Sequence, residues 1–392
     1  MSTRVRIIAF ACAAALVAAT VGGESRKPPY ARAIERSRAM LDEVLQLYPG
    51  TAVAVAIGDE IVWSTAFGFA DVDRHRPVSR ATQFRVYEVA MPLTATMMAR
   101  LSDEGRIDLD APIQRYVPGV QDDGAPVTVR SLAAHLSGAR DFEDEEDAPS
   151  PCAAARDAVR RLPPQLFVRP SGLAYAKSRP GYLLLSAALE SASGKSFGDL
   201  LAETIASPTG MSLTMVDDPR RFLPGRTLFY ERGWFGLLRS AHEVDTSCRW
   251  GAGGLLSTTG DLARFGAALL RGEILRRETL DAMFTSQLTR AGVRTGYGLG
   301  WHVETDQRGR RVLWHGGRGV GGRSAIVLVP HARLVCVMLS NIEGEMLDEH
   351  ARRIAAFFLE DAETSGGAPD VIRAYGPYRT LPPYADRAAP AP

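Results

Sequence analysis

The residues from Phe84 to Ala95 carry side chains whose types and spacing bear on chemistry. Their pattern predicts a helix from about Val89 to Glu104. Glu88 and Met91 are three positions apart, so they share one face of that helix, and the helix N-terminus favours a negative charge. A carboxylate is a weak nucleophile, and a thioether neither accepts nor donates a proton. The pair therefore cannot act as nucleophile and base, and Glu88 alone offers a base or one half of an ion pair.

The same run, Phe-Arg-Val-Tyr-Glu-Val-Ala-Met-Pro-Leu-Thr-Ala, resembles the active-site helix of serine β-lactamases and penicillin-binding proteins, in their class C-like branch. In that family an acylated Ser stands at the position of Glu88, and a Lys that helps to remove its proton stands at the position of Met91. The chain has three lysines, Lys27, Lys177 and Lys195, and none of them follows a serine by three positions. The resemblance implies the family's fold with its Ser-x-x-Lys motif substituted.

The family's second motif contains a catalytic Tyr and, two residues later, an Asn. It resembles residues 171–185 here, where a gapless alignment puts Lys177 at the Tyr position and Arg179 at the Asn position. The competing alignment gives the Tyr position to Tyr175 and needs a two-residue insertion, so the gapless one is preferred. Because Asn341 is the only asparagine of the chain, the Tyr-x-Asn motif is absent under either alignment.

The third family motif, His-x-Gly, is present as His315-Gly316-Gly317. In the family its strand borders the cleft and helps to bind the substrate. The resemblance therefore implies that Glu88, Lys177 and Arg179 line the cleft, face His315 and form the ligand-binding site. Opposite charges at the two positions that lie within hydrogen-bonding reach in the family predict a Glu88–Lys177 ion pair, with Arg179 nearby as a second cation.

The resemblance also implies an α/β (α+β) fold with two lobes. An antiparallel sheet is expected from strands near both ends of the domain (30–361), and a mainly helical lobe from about residues 86–250. Residues 362–392 are rich in Pro and Ala and are expected to be a disordered tail. Local patterns predict helices at Tyr30–Tyr48, Tyr182–Ser193, Phe197–Ile205 and Met346–Glu360, a helix capped by Thr258 or Thr259, and strands at Thr51–Ile57, Ile61–Phe69, Arg323–Val329 and Leu334–Ser340.

Composition and the N-terminus suggest an exported globular protein. The 392 residues are 46% hydrophobic and 23% charged with a net charge of +1, which argues against a nucleic-acid-binding surface. Two arginines, an apolar run from Ile7 to Val21 and then two glycines predict a signal peptide over residues 1–23. An uncleaved membrane anchor is the alternative, although the run is shorter than the roughly 20 residues of a spanning helix. The expected location is periplasmic or extracellular.

Cysteine and histidine positions predict no cofactor and no metal site, because no Cys/His spacing matches one. Cys336 lies in an apolar strand pattern and is expected to be a buried thiol. A Cys152–Cys248 bridge is possible in an oxidising compartment, but the sequence does not decide it. His135 is expected to be a buried core residue.

Two segments of the middle region suggest surface features. Residues 212–248 are predicted to be irregular, with aromatic side chains that are either packed under a loop or exposed as a wall of the cleft or a partner surface. Residues Asp141 to Asp147 are acidic and are interpreted as a solvated loop that could also border the cleft. The aromatic set is Phe229, Tyr230, Trp234 and Phe235.

Three functions remain open from the sequence. The first is a secreted homologue of these serine hydrolases that is catalytically inactive, a pseudoenzyme, and binds a small-molecule or peptide ligand in the cleft. The second is an active hydrolase of esters, amides or β-lactams with Glu88-based chemistry. It ranks lower because a neighbouring Lys177 and a helix N-terminus both favour the ionised carboxylate. The third is a structural or partner-binding protein. The oligomeric state stays undetermined.

Overall fold

The computed structural model describes residues 30–44, 48–121, 125–142, 152–344 and 347–364 and has the expected mixed α/β fold. The helices are α1 (Ala31–Val44), α2 (Ala90–Asp103), α3 (Val129–Ala133), α4 (Ala155–Val159), α5 (Arg179–Ser193), α6 (Phe197–Leu201), α7 (Trp250–Gly253), α8 (Thr259–Arg271), α9 (Arg277–Met283) and α10 (Leu347–Thr364). The strands are β1 (Gly50–Ile57), β2 (Glu60–Asp71), β3 (Arg76–Pro77), β4 (Phe84–Arg85), β5 (Met215–Val216), β6 (Tyr230–Arg232), β7 (Leu238–Ser240), β8 (Leu255–Ser257), β9 (His302–Thr305), β10 (Arg311–Gly319), β11 (Gly322–Val329) and β12 (Leu334–Ser340).

The main sheet is antiparallel and has the strand order β3-β2-β1-β12-β11-β10-β9. Strands from both ends of the chain meet at its centre, where Thr51 of β1 lies opposite Ser340 of β12. The predicted strands at 51–57, 61–69, 323–329 and 334–340 are therefore confirmed. A 3-10 turn at Pro330–Ala332 joins the last two of them.

The central strand β1 is buried along its whole length and has a different composition on each face. Its valines and isoleucine belong to a core shared with residues of α1 and α10, while its alanines belong to the larger core that includes residues of α8. Small side chains on the α8 side permit a close approach, since a Cβ at Gly266 of α8 would lie 2.8 Å from Val335. The side chains of the first face are Val53, Val55 and Ile57, and those of the second are Ala52, Ala54 and Ala56.

Helices α2 to α7 lie in sequence between strands β4 and β8, in the region expected to be mainly helical. Helix α5 begins at Arg179, three residues earlier than predicted, because Ser178 caps it. The Gly181 N–H donates to Ser178 Oγ at 3.0 Å, and Pro180 fits the first turn. This start places the Arg179 side chain in the first turn of the helix. Thr258 caps α8 by accepting a hydrogen bond from the Asp261 N–H, which confirms the first of the two predicted caps.

The aromatic set, which the sequence left as either packed or exposed, divides between the two alternatives. Strands β6 and β7 form a hairpin, and Tyr230 at its start is only 2% exposed and accepts a hydrogen bond from the Val72 N–H. Phe229 lies under the guanidinium of Arg85, 4.2 Å from the ring centroid. Phe235 is 97% exposed, which is the other alternative. The Trp234 side chain lies outside the description.

The cysteine predictions are resolved in the structure. Cys152 and Cys248 form a disulfide across a sequence separation of 96 residues, the option that the sequence left open. Cys336 is a buried free thiol, and burial raises its pKa. His135 is buried, as expected.

The predicted signal peptide, most of the acidic segment and most of the predicted tail lie outside the described residues. This holds for the signal peptide at 1–23, for residues 143–147 of the acidic segment and for the tail from residue 365. Residues 362–364, which were assigned to the tail, belong instead to α10, where Ala362 is buried. Within the described ranges, no helix is both long enough and apolar enough to span a membrane.

Candidate active-site cleft

Glu88 lies in a 3-10 turn, Tyr87–Val89, that leads directly into α2. Strand β10 presses against this turn at Gly317, where a Cβ would lie 2.7 Å from the Glu88 nitrogen and 2.7 Å from the Val86 oxygen. Ser324 of β11 donates to the same Val86 oxygen at 2.5 Å. Only glycine fits at position 317. The second glycine of the His-Gly-Gly motif thus lets β10 pack directly against the backbone of the turn.

Both carboxylate oxygens of Glu88 accept hydrogen bonds. Lys177 Nζ donates to Oε1 at 2.8 Å, and the backbone N–H of Arg318 donates to Oε2 at 2.9 Å. The Glu88 side chain is 6% exposed and the Lys177 side chain 41% exposed. The predicted ion pair is thus confirmed. The ammonium therefore lies where the gapless alignment leads one to expect it, which favours that alignment over the one with Tyr175 at the Tyr position.

His135 holds the segment that carries Lys177. Its carbonyl oxygen accepts from the Ala176 N–H at 2.9 Å, and its Nδ1 accepts from the Ser178 N–H at 3.2 Å. Because Nδ1 is an acceptor, the neutral ring carries its proton on Nε2. Burial lowers the pKa of His135 well below its ordinary value, and the positive charges of Lys177 and His302 lower it further. The residues before and after Lys177 are therefore both fixed to His135, one through its backbone carbonyl and the other through its uncharged ring.

Met91 and Tyr175 both lie away from the ion pair's hydrogen bonds. Met91 is fully buried in the core of α2 and supplies no proton acceptor. The Tyr175 ring packs 5.8 Å from the His135 ring and 5.5 Å from the Tyr297 ring, and burial raises its pKa to about 12. A phenol with that pKa stays protonated at neutral pH, so neither residue restores the missing base.

Arg179 is close to the ion pair but has a different partner. Its backbone N–H and its Nε both donate to Asp141 Oδ1, at 2.8 and 3.0 Å. Arg179 and Glu88 nevertheless line the same cavity, which has a volume of about 10 Å³, about the size that one water molecule needs. The expected second cation is therefore present but neutralised. The other lining residues are Tyr87, Phe142, Arg249, Ala252, Gly253 and Arg318.

Arg318 contributes the most available positive charge at this cavity. Its guanidinium is exposed, and within the described ranges no hydrogen bond or ion pair to it is found. Its backbone N–H is the one that binds Glu88. Backbone donors have no signature in a sequence, which is why Arg318 was not predicted. The partner of Arg179, Asp141, belongs to the acidic segment for which the sequence left open a place at the border of the cleft, and Phe142 of that segment lines the cavity.

His315 does not contact the ion pair. Its Nδ1 lies 2.9 Å from the Gly316 carbonyl oxygen, which only accepts, so Nδ1 carries the proton and Nε2 accepts from the Tyr297 hydroxyl at 3.1 Å. Burial, together with nearby positive charges, lowers the pKa of His315 well below its ordinary value. His315 is thus a neutral residue that ties its strand to Tyr297, rather than a group that faces Glu88. Gly316 has an open environment, since its Cβ would meet Asp348 at an ordinary 3.5 Å.

The two-lobed fold and the position of this cleft define a protein of the serine β-lactamase and transpeptidase class. A family model described as "Beta-lactamase" matches residues 38–359, and the chain belongs to that family. No cluster of three or more metal-ligating side chains occurs in the part of the chain that is described.

Individual relatives are distant. Mouse serine beta-lactamase-like protein LACTB, a mitochondrial protein, is 25% identical, over 85% of this chain and 81% of the relative. Penicillin-binding protein 4* of Bacillus subtilis is 28% identical, over 78% and 70%. Among solved structures, D-amino acid amidase of Ochrobactrum anthropi, complexed with D-phenylalanine, superposes with a TM-score of 0.69 at 22% identity, over 85% of this chain and 99% of that one.

Proposed function

We propose that this protein is a family member that forms no acyl-enzyme and instead binds an anionic ligand at the mouth of the cleft. The observation that carries the proposal is the state of Glu88. At the position of the family's nucleophile stands a buried carboxylate whose two oxygens are held by Lys177 and by the Arg318 N–H. A carboxylate so held has neither the free hydroxyl nor the neighbouring base that acylation needs.

Serine hydroxyls near the site do not replace the missing nucleophile. Ser178 Oγ donates to the Arg140 oxygen at 2.9 Å and caps α5. Ser324 Oγ is buried and donates to the Val86 oxygen. Each hydroxyl proton is committed to a carbonyl, and neither hydroxyl donates to a carboxylate, an amine or an imidazole. Neither serine therefore has the base that would activate it.

The charges around the cleft support an anionic ligand. Arg318, whose guanidinium is exposed, lines the same cavity as Glu88, and Glu88 pairs with the half-exposed Lys177 ammonium and so leaves the Arg318 charge without a counter-charge among the described residues. A planar guanidinium binds a carboxylate through two parallel hydrogen bonds. The D-phenylalanine bound by the structurally similar amidase carries a carboxylate, so we assign the ligand to N-blocked D-amino acids or short peptides that end in one.

Intact-mass spectrometry tests the absence of acylation. The protein is incubated with a fluorophosphonate probe and, separately, with benzylpenicillin, and the mass of the full chain is measured. We expect no added mass with either reagent. An adduct that peptide mapping places on Ser178 or Ser324 would overturn the proposal.

Calorimetric titration tests ligand binding with a matched pair of compounds. We expect N-acetyl-D-phenylalanine to bind and its uncharged methylamide to bind at least tenfold more weakly. Loss of a charge-assisted hydrogen bond costs about 1.5–3 kcal/mol, so Arg318→Ala should weaken acid binding about tenfold or more. Arg353→Ala, which removes an exposed arginine of α10 far from the cleft in sequence, is the control and should leave binding unchanged. Equal binding of acid and amide would refute the assignment.

An active hydrolase with Glu88 as base is the second candidate, favoured by relatives whose names denote hydrolases. The carboxylate would first have to leave both of its hydrogen bonds to bind a water molecule. Hydrolysis of a D-amino acid amide that disappears in Glu88→Gln but survives in Glu88→Asp would favour this candidate. Turnover that is absent in wild type, or unchanged in Glu88→Gln, excludes it.

We further propose that the protein is exported, in agreement with the apolar run at Ile7–Val21. The Cys152–Cys248 disulfide supports this, because such bridges persist in oxidising compartments. N-terminal sequencing of the native protein tests export, with cleavage near residue 23 as the expected result. An intact Met1 in a soluble cytoplasmic fraction would overturn it.

A further inference from the structure

Strand β2 has an open edge along most of its length. It pairs with β1 from Glu60 to Gly68, but its other neighbour, β3, reaches only Phe69 and Asp71. Within the described ranges, no strand pairs with the outer side of residues 61–67. An exposed strand edge presents unpaired N–H and C=O groups, to which a further strand can bind.

The register shows which backbone groups are open. The Gly68 C=O accepts from the Val78 N–H on the outer side of β2, whereas the Phe69 N–H donates to the Pro49 oxygen on the inner side. Because alternate residues of a strand direct their backbone groups to the same side, Ser64 and Ala66 present theirs outward, as Gly68 does. Strand β3 pairs with β2 only beyond these two residues, and so their outward N–H and C=O groups are available.

A positively charged groove follows this edge. It has a volume of about 600 Å³ and is lined by β2 residues that include Ile61 and Ser64, by Leu213 and by three arginines. Arg38 comes from α1, Arg80 from the segment after β3 and Arg264 from α8. The guanidinium of Arg264 pairs with Asp261, whereas Arg38 and Arg80 are exposed and have no ion-pair partner among the described residues. In the described part of the chain, no carboxylate lines the groove.

The charge pattern selects the occupant. If a second copy of this chain added its own β2 in antiparallel fashion, the arginines of both copies would lie along one seam, and like charges in an interface are unfavourable. A strand that carries carboxylates has the complementary charge. We propose that the open edge of β2 is a docking site for an extended acidic peptide segment of a partner protein, which binds as an additional strand.

In this complex the Ser64 and Ala66 backbone groups supply the main-chain hydrogen bonds, and Arg38 and Arg80 bind alternate acidic side chains. Residues two apart on a strand face the same side, so a peptide with acidic residues at every second position is the best fit. None of the groove residues lines the cavity at Glu88. The docking site is therefore separate from the cleft and does not depend on the cleft's proposed ligand.

Fluorescence anisotropy with the full chain tests the proposal. The probe is a fluorescein-labelled ten-residue peptide that alternates valine and glutamate. Three comparison peptides are used: one with lysine in place of glutamate, one with alternate backbone nitrogens methylated on the edge that pairs, and one methylated on the opposite edge. We expect binding of the acidic peptide, at least tenfold weaker binding of the peptide methylated on the pairing edge, and none of the lysine peptide.

Protein variants separate strand addition from simple charge attraction. Ser64→Pro removes an outward N–H that no described contact uses, so it should weaken binding at least tenfold, while Ser64→Ala should change it less than twofold. The double change Arg38→Glu with Arg80→Glu should abolish binding, whereas Arg353→Glu, a charge reversal of equal kind on α10, should not.

Two results would overturn the proposal. One is equal binding of both methylated peptides by wild-type protein, a measurement that does not depend on how any variant folds. The other is a dimer in sedimentation analysis that Ser64→Pro disrupts, because the occupant would then be a second copy.

Discussion

Removing the ammonium of Lys177 should destabilise the fold chiefly by leaving the carboxylate of Glu88 buried without a counter-charge. The ion pair joins a nearly buried acid to a base whose side chain is 41% exposed. Two unit charges about 4 Å apart attract by roughly 4 kcal/mol at an effective dielectric constant of 20. Solvent around Lys177 screens much of that attraction, and the Arg318 N–H continues to bind Oε2. We therefore expect Lys177→Met to lower the free energy of unfolding by about 2 kcal/mol, less than the 3–5 kcal/mol of a fully buried broken pair.

The double change Glu88→Gln with Lys177→Met is the decisive comparison. The amide oxygen of Gln can still accept from the Arg318 N–H, and no charge is left buried, so the double variant should be more stable than Lys177→Met alone by about 1 kcal/mol or more. Lys195→Met is the matched control, because Lys195 pairs with Glu203 on the surface with both side chains exposed. Such a pair contributes about 0–1 kcal/mol.

Urea unfolding followed by tryptophan fluorescence measures these differences as shifts of the midpoint at constant slope. A double variant as unstable as Lys177→Met would show that packing of the Lys177 chain, and not its charge, matters. A loss of equal size in Lys195→Met would show that the buried carboxylate is not the cause. Either result would refute the reasoning.

Further outcomes follow from the same site. Glu88→Ser alone should hydrolyse nitrocefin no faster than Glu88→Ala, since no base is restored; robust turnover would contradict this. Gly317→Ala should lower the unfolding free energy by about 1–3 kcal/mol because its Cβ would overlap the Glu88 turn, whereas Gly316→Ala should cost less than about 1 kcal/mol, as urea midpoints would show. Burial, with smaller contributions from nearby cations, lowers the pKa of His302 to about 4, so the unfolded state binds the proton more readily and stability falls as pH drops from about 6.5 towards 4. His302→Gln should therefore remove about 2 kcal/mol of the stability difference between pH 7.5 and 5.0; an unchanged difference would rule out His302 as its source.

The sequence predicted the elements that repeat a regular pattern and missed the contacts made by the backbone. Strand β1 alternates alanine with valine or isoleucine and ends at a Gly-Asp turn. Its observed bounds differ from the predicted ones by only one residue. The apolar run predicted that α5 begins at Tyr182. The helix begins three residues earlier, because Ser178 caps a first turn that contains Pro180. The sequence did not decide whether Tyr230 is packed or exposed, because no local pattern encodes its distant partner, the Val72 N–H.

The site was predictable where two facing residues carry opposite charges, and not where a residue from elsewhere in the chain supplied the partner. A carboxylate and an ammonium at two facing positions implied the Glu88–Lys177 pair, which the structure contains. Arg179 was expected beside this pair, but Asp141 is nearer in the fold and binds it instead. His315 was expected to face the cleft, whereas the hydroxyl of Tyr297, eighteen residues earlier in the chain, binds its ring.

The three substituted positions make one electrostatic arrangement. A glutamate at position 88 without Lys177 would be a nearly buried, unpaired charge, and Lys177 without Glu88 would add a cation to a cleft that already contains Arg179, Arg249 and Arg318. Met91 completes the arrangement because it is fully buried and the only nearby acid of the turn is already paired. A lysine there would bring a second ammonium into the core without a partner of its own, at a cost of several kcal/mol. Glu88→Ser with Met91→Lys and Lys177→Tyr removes both charges of the present pair and rebuilds a nucleophile and a base, and the cost it adds is the buried ammonium of the new lysine, which has no carboxylate partner.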